Sequence, residues 1–214
     1  RTEEAYGKAI EKGNECEEQS ITLLSLVRKQ LYFKNEAQLT NEFISGTPDL
    51  FLKEKEQIIE VEEIKTSWSI FTFRRAKFKP LDVIYKWQAI GYMALTGAKV
   101  ANVNYCLVNA TAELIDDEKR RLSYAMREMP GSTSPEFIEQ CKQIERNMIY
   151  DMADFRKRYP YYSFDSDVDK WDGDVPEKER VFSFMVERNE DDIEKIYERV
   201  KMCRKWIGDN ILKA

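Results

Sequence analysis

The sequence contains no histidine among its 214 residues. That absence excludes Ser-His-Asp and Cys-His nucleophilic catalysis, His-ligated metals and any mechanism that needs an imidazole. Cysteine is sparse. Cys16, Cys106, Cys141 and Cys203 lie far apart with no Cys-x-x-Cys pair, so neither a zinc site nor a cysteine-ligated iron–sulfur cluster is expected. Cys106 sits in an apolar run, which favours a buried free thiol. No apolar run approaches membrane-spanning length and no signal peptide is visible, so a soluble cytoplasmic protein with no membrane partner is the expectation. A cationic excess is missing too: the net charge is −5, which does not point to nucleic acid by bulk electrostatics. Chemistry, where present, is left to carboxylates, lysine, hydroxyls and a bound ion.

What is there is a globular composition, 43% apolar and 34% charged, over a length that suits a single domain spanning 1–214. Charge is unevenly spread. Arg74, Arg75, Lys77, Lys79 and Lys86 are opposed only by Asp82, whereas residues 54–63 are strongly acidic. A basic strip beside an acidic pocket is compatible with tracking phosphates, and equally with a solvated charged face.

The stretch from Ser45 to Ser67 organises the reading. Asp49 follows a Gly-Thr-Pro turn, and a β-branched run from Ile58 ends in Glu63-Ile64-Lys65. Side chains alternate along a strand, so Glu63 and Lys65 share a face and Ile64 takes the other. A polar turn at 53–57 folds the segment after Asp49 back as a hairpin, bringing Asp49 and Glu63 together with Lys65 beside them. Two carboxylates suit a hard divalent cation that keeps several waters. A lysine beside such a cation loses its proton more readily, since burial and positive charge both disfavour the ammonium.

Upstream, residues 2–31 read as one amphipathic helix with a stripe of Ile10, Ile21, Leu24, Val27 and Leu31. Glu17 falls inside that stripe, where a carboxylate is costly unless paired or metal-bound; Glu15 and Glu18 point away. Residues 68–79 interleave Phe71, Phe73 and Phe78 with Arg and Lys. They form either a lid that contacts single-stranded ends or an ordinary loop with its aromatics tucked into the core. Residues 80–97 read as a helix from Pro80 to Gly97, packed through Ile84, Trp87, Gly91 and Leu95. On it Gln88 and Tyr92 are four apart, so amide and phenol sit one above the other and can bind a phosphate or order the lysine and its water.

These residues resemble the PD-(D/E)XK nuclease superfamily. Pro48-Asp49 with Glu63-x-Lys65 matches its signature. Gly13-x-x-x-Glu17 resembles the first motif of the phage-type exonucleases, with Glu18 where that pattern shows proline. Gln88-x-x-x-Tyr92, in the wording of residues 88–97, resembles the motif that follows Glu-x-Lys in the lambda-exonuclease, YqaJ-type and RecB-like branches, and the apolar run 100–108 matches the next strand. The motifs keep the family's order, and the resemblance covers roughly residues 10–110. It implies an α/β, restriction-endonuclease-like core, a central mixed β-sheet flanked by α-helices. It also implies a Mg²⁺- or Mn²⁺-dependent DNA exonuclease of phage-type recombination or repair, digesting linear duplex ends 5′ to 3′ in the cytoplasm (the host's, for a viral protein). Asp49 and Glu63 are then metal ligands with the Ile64 carbonyl, and Glu17 holds the ion directly or through water. Lys65 orients or deprotonates the attacking water. Gln88 and Tyr92 position the phosphate, while Arg74, Arg75 and Lys77 contact the DNA backbone. A homo-oligomer and a single-strand annealing protein are the partners that go with this branch. An endonuclease on the same fold, or a non-catalytic nucleic-acid or protein-binding module, uses the same residues differently.

The rest of the chain is less specific. Residues 111–128 and 135–158 read as charged helices separated by a break at 130–135, forming a helical insertion or edge layer over 111–158 that is either a partner surface or support for the core. An irregular acidic loop follows over 159–174. A strand over 180–187 leads to a final helix capped by Asn189 and packed through Ile193, Ile196, Tyr197, Val200 and Ile207, the C-terminal part of the domain over 180–212.

Overall fold

The computed structural model describes residues 7–129, 132–160, 162 and 173–211. In chain order the elements are α1 (Lys8–Glu15), α2 (Glu17–Arg28), β1 (Leu39–Thr40), β2 (Ser45–Gly46), β3 (Leu50–Glu54), β4 (Gln57–Thr66), α3 (Ile70–Lys77), α4 (Val83–Thr96), β5 (Val100–Cys106), α5 (Ala112–Met126), α6 (Pro135–Met148), α7 (Met152–Arg158), a short 3-10 turn (Glu177–Glu179), β6 (Val181–Glu187) and α8 (Glu190–Asn210). The fold is α/β: a mixed four-stranded sheet of order β3-β4-β5-β6 flanked by helices, as the motif resemblance implies. β3 and β4 are antiparallel, with Leu50 opposite Glu62 and Phe51 opposite Val61. β4 and β5 run parallel: the Lys99 amide donates to the Ile59 carbonyl at one end and the Ser67 amide to the Cys106 carbonyl at the other. A parallel pair needs a long crossover, here the one that carries α3 and α4. β6 returns antiparallel, Leu107 bonding Arg180 and Arg188 bonding Lys99 through their amides. No described helix is long and apolar enough to cross a membrane.

The chain divides into two compact units, one of Arg1–Lys29, Thr66–Phe78 and Tyr105–Phe182, the other of Gln30–Lys65, Lys79–Asn104 and Ser183–Ala214. In the first, the expected long N-terminal helix is two helices that meet at Cys16, whose backbone leaves helical geometry at φ −111° and ψ 12°. Residues 2–6 of that expectation lie outside the described residues. Breaking the helix shifts its buried stripe. Ile10 and Leu31 are exposed, and the buried side chains are Lys12, Cys16, Ser20, Ile21, Leu23 and Leu24. Lys12 is wholly buried because it finds partners there: its Nζ donates to the Trp68 carbonyl at 3.1 Å and lies 5.5 Å from the Tyr150 ring centroid. Burial lowers its pKa to about 8.

The aromatic, basic stretch after β4 is not a loop but the helix α3. Ser69 and Thr72 close a reciprocal capping box at its start, and Arg74, Arg75 and Lys77 occupy its last turn, where cations favour the helix dipole. Phe73 is buried against Leu107 and Tyr150, whereas Phe71 and Phe78 are exposed. The helix expected over 135–158 is two helices, because Ile149 takes an extended backbone and the Asp151 side chain caps a new start by accepting from the Asp154 amide. The expected break at Pro130-Gly131 and most of the acidic loop at 159–174 lie outside the described residues.

In the second unit, the turn between β3 and β4 is tight, with Lys55 in the left-handed region at φ 55°. Lys53 and Glu54 pair with Ile58 and Gln57, so the expected five-residue turn at 53–57 is the two residues Lys55 and Glu56, and the pairing slips by one residue between Leu52 and Lys53. α4 starts three residues after Pro80, where the Asp82 side chain accepts from the Ile84 amide at 2.8 Å, and ends at Gly97, whose φ of 76° suits a residue without Cβ. Its buried face is Ala89, Ile90 and Met93 rather than the expected one; Ile84 and Trp87 are exposed. Asn189 caps α8 as expected, but only Ile193 of that helix is fully buried, and Ile207 is exposed.

Candidate active site

Asp49 ends the turn before β3 and Glu63 lies on β4; since Leu50 faces Glu62, Asp49 faces Glu63 one step further along the ladder. The Asp49 Oδ2 accepts a hydrogen bond from the Ile64 amide at 2.7 Å, which fixes that carboxylate against the edge of β4. Glu63 is buried, and its Oε1 accepts from Lys65 Nζ at 2.7 Å. The same ammonium donates to Gln88 Oε1 at 3.3 Å and stands 4.5 Å above the Tyr85 ring centroid. Gln88 Nε2 in turn donates to Tyr92 Oη at 3.0 Å. A single connected path, Glu63–Lys65–Gln88–Tyr92, therefore joins β4 to α4. The alternation of β4 and the four-residue spacing on α4 aim all four side chains to one place.

The electrostatics are uneven along this path. Burial, and then the neighbouring charge of Asp49, raise the Glu63 pKa to about 7, against the pull of Lys65. Its second oxygen, Oε2, is buried with no hydrogen-bond donor among the described residues. An orphaned carboxylate oxygen beside a second carboxylate is the arrangement a hard cation relieves, since it prefers oxygen ligands and brings its own waters. Among the described residues no group of three or more His, Cys, Asp or Glu side chains is gathered for a metal; Asp49 and Glu63 are a pair. Burial and the Glu63 charge raise the Tyr92 pKa, which keeps its phenol a donor at neutral pH.

Of the residues singled out in the sequence, Asp49, Glu63, Ile64, Lys65, Gln88 and Tyr92 come together in the second unit. Glu17, Arg74, Arg75 and Lys77 belong to the first. There Glu17 opens α2 half-buried, Glu18 beside it is exposed, and the three cations are exposed on α3.

Three features went unread. Tyr85 lies under Lys65; it precedes Gln88 by three residues, and that spacing was its signal. Gly46 on β2 lets the Tyr92 ring approach so closely that a Cβ there would stand 2.7 Å from Cε1. Glu62, on the opposite face of β4, is wholly buried and accepts from Asn102 Nδ2 at 3.0 Å and Asn104 Nδ2 at 2.7 Å, while Asn104 Oδ1 accepts from Ser183 at 2.6 Å. Two asparagines two apart in an otherwise apolar strand were the sign of that network.

The fold that carries these side chains is shared with solved exonuclease structures. It matches the crystal structure of a phage-related exonuclease from Haemophilus somnus 129PT at a TM-score of 0.64 and 22% identity, over 100% of this chain and 76% of that one. It also matches an alkaline exonuclease, LHK-Exo, from Laribacter hongkongensis at a TM-score of 0.56 and 12% identity, over 98% and 74% of the two chains. The structure of LHK-Exo with dAMP matches at 0.55, with 15% identity and coverage of 99% and 74%. No protein-family model matches the sequence, and no curated protein does. At these identities the likeness is one of fold.

Proposed function

We propose that the chain is a metal-dependent DNA exonuclease, hydrolysing phosphodiester bonds at the ends of linear DNA. The observation that carries this reading is the Glu63–Lys65–Gln88–Tyr92 path beside Asp49, on a fold shared with exonucleases. Asp49 and Glu63 are the residues that would hold Mg²⁺ or Mn²⁺, with the Ile64 carbonyl beside them and Glu17 as a further ligand or water anchor. Such an ion, when bound, supplies Lewis-acid stabilisation of the charge that builds on the phosphate.

The remaining work falls to this chain's own groups. Lys65, held between Glu63 and Gln88, orients the attacking water through its ammonium or, as the neutral amine, takes up that water's proton. Tyr92 accepts from Gln88, which leaves its own proton to donate to a phosphate oxygen. Gln88 fixes both partners at once, so lysine and phenol keep one spacing while a phosphate sits between them. Arg74, Arg75 and Lys77 are assigned to the DNA backbone. By resemblance the reading extends to 5′ to 3′ digestion of duplex ends in phage-type recombination, by a homo-oligomer acting with a single-strand annealing protein.

The test is degradation of end-labelled linear duplex DNA in Mg²⁺, Mn²⁺ or EDTA, with closed-circular DNA alongside. Loss of the linear substrate alone, dependent on metal and on Lys65, is the expected result, and the labelled end reports polarity. Cleavage of the closed circle would make the enzyme an endonuclease. A folded protein that cuts neither substrate would leave a binding module.

A further inference from the structure

We propose that the groove between α4 and α8 is a subsite for single-stranded DNA, seating the nucleotides next to the phosphate that Gln88 and Tyr92 address. This deepens the nuclease reading and rests on it. The cavity measures about 750 Å³ and lies wholly within the second unit. Its floor is apolar, drawn from Trp87 and Leu95 on α4 and from Ile196, Val200 and Ile207 on α8. Lys195, Arg199 and Arg204 line it as well, and among the described residues no carboxylate does.

Helical spacing explains this composition. Residues 195, 196, 199, 200, 203, 204 and 207 recur every three to four positions, so they form one stripe of α8. A stripe of this kind would normally close on α4. Here Ile44, Ser45 and Gly46 line the cavity together with the two helices, and Trp87 remains 37% exposed and Ile207 41% exposed.

Charge points to the occupant. The protein carries a net charge of −5, yet every charged side chain lining this groove is a cation, so it complements an anion with apolar faces. Lys195 is steadied by Asp192 at 2.7 Å, and Arg204 donates to the Glu42 carbonyl at 2.7 Å. Both contacts are exposed and cost little to exchange for a phosphate. A nucleic-acid strand combines phosphates at regular spacing with flat faces that stack on an indole. The stripe from 195 to 207 runs for roughly 18 Å along α8, room for about three to five nucleotides.

Continuity decides between a strand and a protein segment. Gln88 and Tyr92 line the groove and also end the Lys65 path, so the groove opens from the catalytic side chains themselves. An acidic helix of a partner seated here would cover them; a DNA strand reaching the scissile bond must pass them.

The experiment is fluorescence anisotropy of a labelled oligothymidylate of about twelve nucleotides with the full chain in EDTA, titrated with salt. Trp87→Ala is expected to weaken binding roughly 5- to 100-fold through lost stacking. Arg199→Gln is expected to weaken it about tenfold and to flatten its salt dependence, with circular dichroism confirming the fold of both variants. In Mg²⁺ the same variants should raise KM for linear DNA more than they lower kcat. Unchanged affinity in both folded variants overturns the subsite, and it does so even if wild-type cleavage is normal. Groove-dependent binding in a wild-type protein that cuts nothing would instead remove the nuclease reading and keep the subsite. Self-association that Trp87→Ala abolishes, with oligothymidylate binding untouched, would give the groove to a second copy of the chain and overturn the proposal.

Discussion

Two adjacent glutamates on β4 have opposite fates. Glu62 and Glu63 are both buried, and alternation sends them to opposite faces of one strand. On one face Asn102 and Asn104 satisfy Glu62. On the other, Glu63 keeps an orphaned oxygen, a carboxylate neighbour and a pKa of about 7. Burial alone therefore does not mark a working residue. The distinguishing sign is burial left incompletely satisfied, a cost that a stabilising role does not require.

Breaking the incompletely satisfied side should cost activity and little stability. Lys65→Ala is expected to lower turnover by about 10²–10⁴-fold on linear DNA while the melting curve stays within a few degrees of wild type. Breaking the satisfied side should do the reverse. Glu62→Leu removes the nearest acceptor of both asparagine amides, leaving Asn102 the Glu60 carboxylate at 3.2 Å and Asn104 two backbone carbonyls at 3.3 Å, and urea unfolding should show a loss of about 1–3 kcal/mol.

The contrast can also be titrated. The Glu63 pKa lies above its unfolded value of 4.5, so the folded state binds that proton more tightly. Stability from this group is present at low pH and is lost as pH rises through about 7. In EDTA the protein should lose roughly 2–3 kcal/mol between pH 4.5 and 8, and Glu63→Gln should flatten that slope. A smaller effect is expected at Gly46. Gly46→Ala pushes on the Tyr92 ring, so turnover should fall by about threefold to tenfold, comparably in Tyr92→Phe, with stability reduced by about 1 kcal/mol. Retained turnover in Gly46→Ala would show that the ring has room to yield.

The gathering of the candidate residues around Glu63 was legible in the sequence and the network around Glu62 was not. Asp49, Glu63, Lys65, Gln88 and Tyr92 follow from two local periods, two along a strand and 3.6 along a helix, and those periods survive folding. The pairing of Glu62 with Asn102 and Asn104 is a contact between strands some forty residues apart, which no local period encodes. Lys12 teaches the same lesson in the first unit. A lysine reads as exposed until a carbonyl and an aromatic ring from distant segments surround it. α3 was misread for a different reason: its Ser69…Thr72 cap was in plain sight, but the mixture of phenylalanines and cations masked it. The kink at Cys16 and the second start at Asp151 are backbone departures in otherwise helical periods, and the period outlives the break.

The raised carboxyl of Glu63 has a consequence for supply as well as for chemistry. A side chain that half-holds a proton at neutral pH makes that proton a competitor for any cation the pair captures. Were the pair to hold a cation as proposed, its uptake would release that proton and would weaken as pH falls.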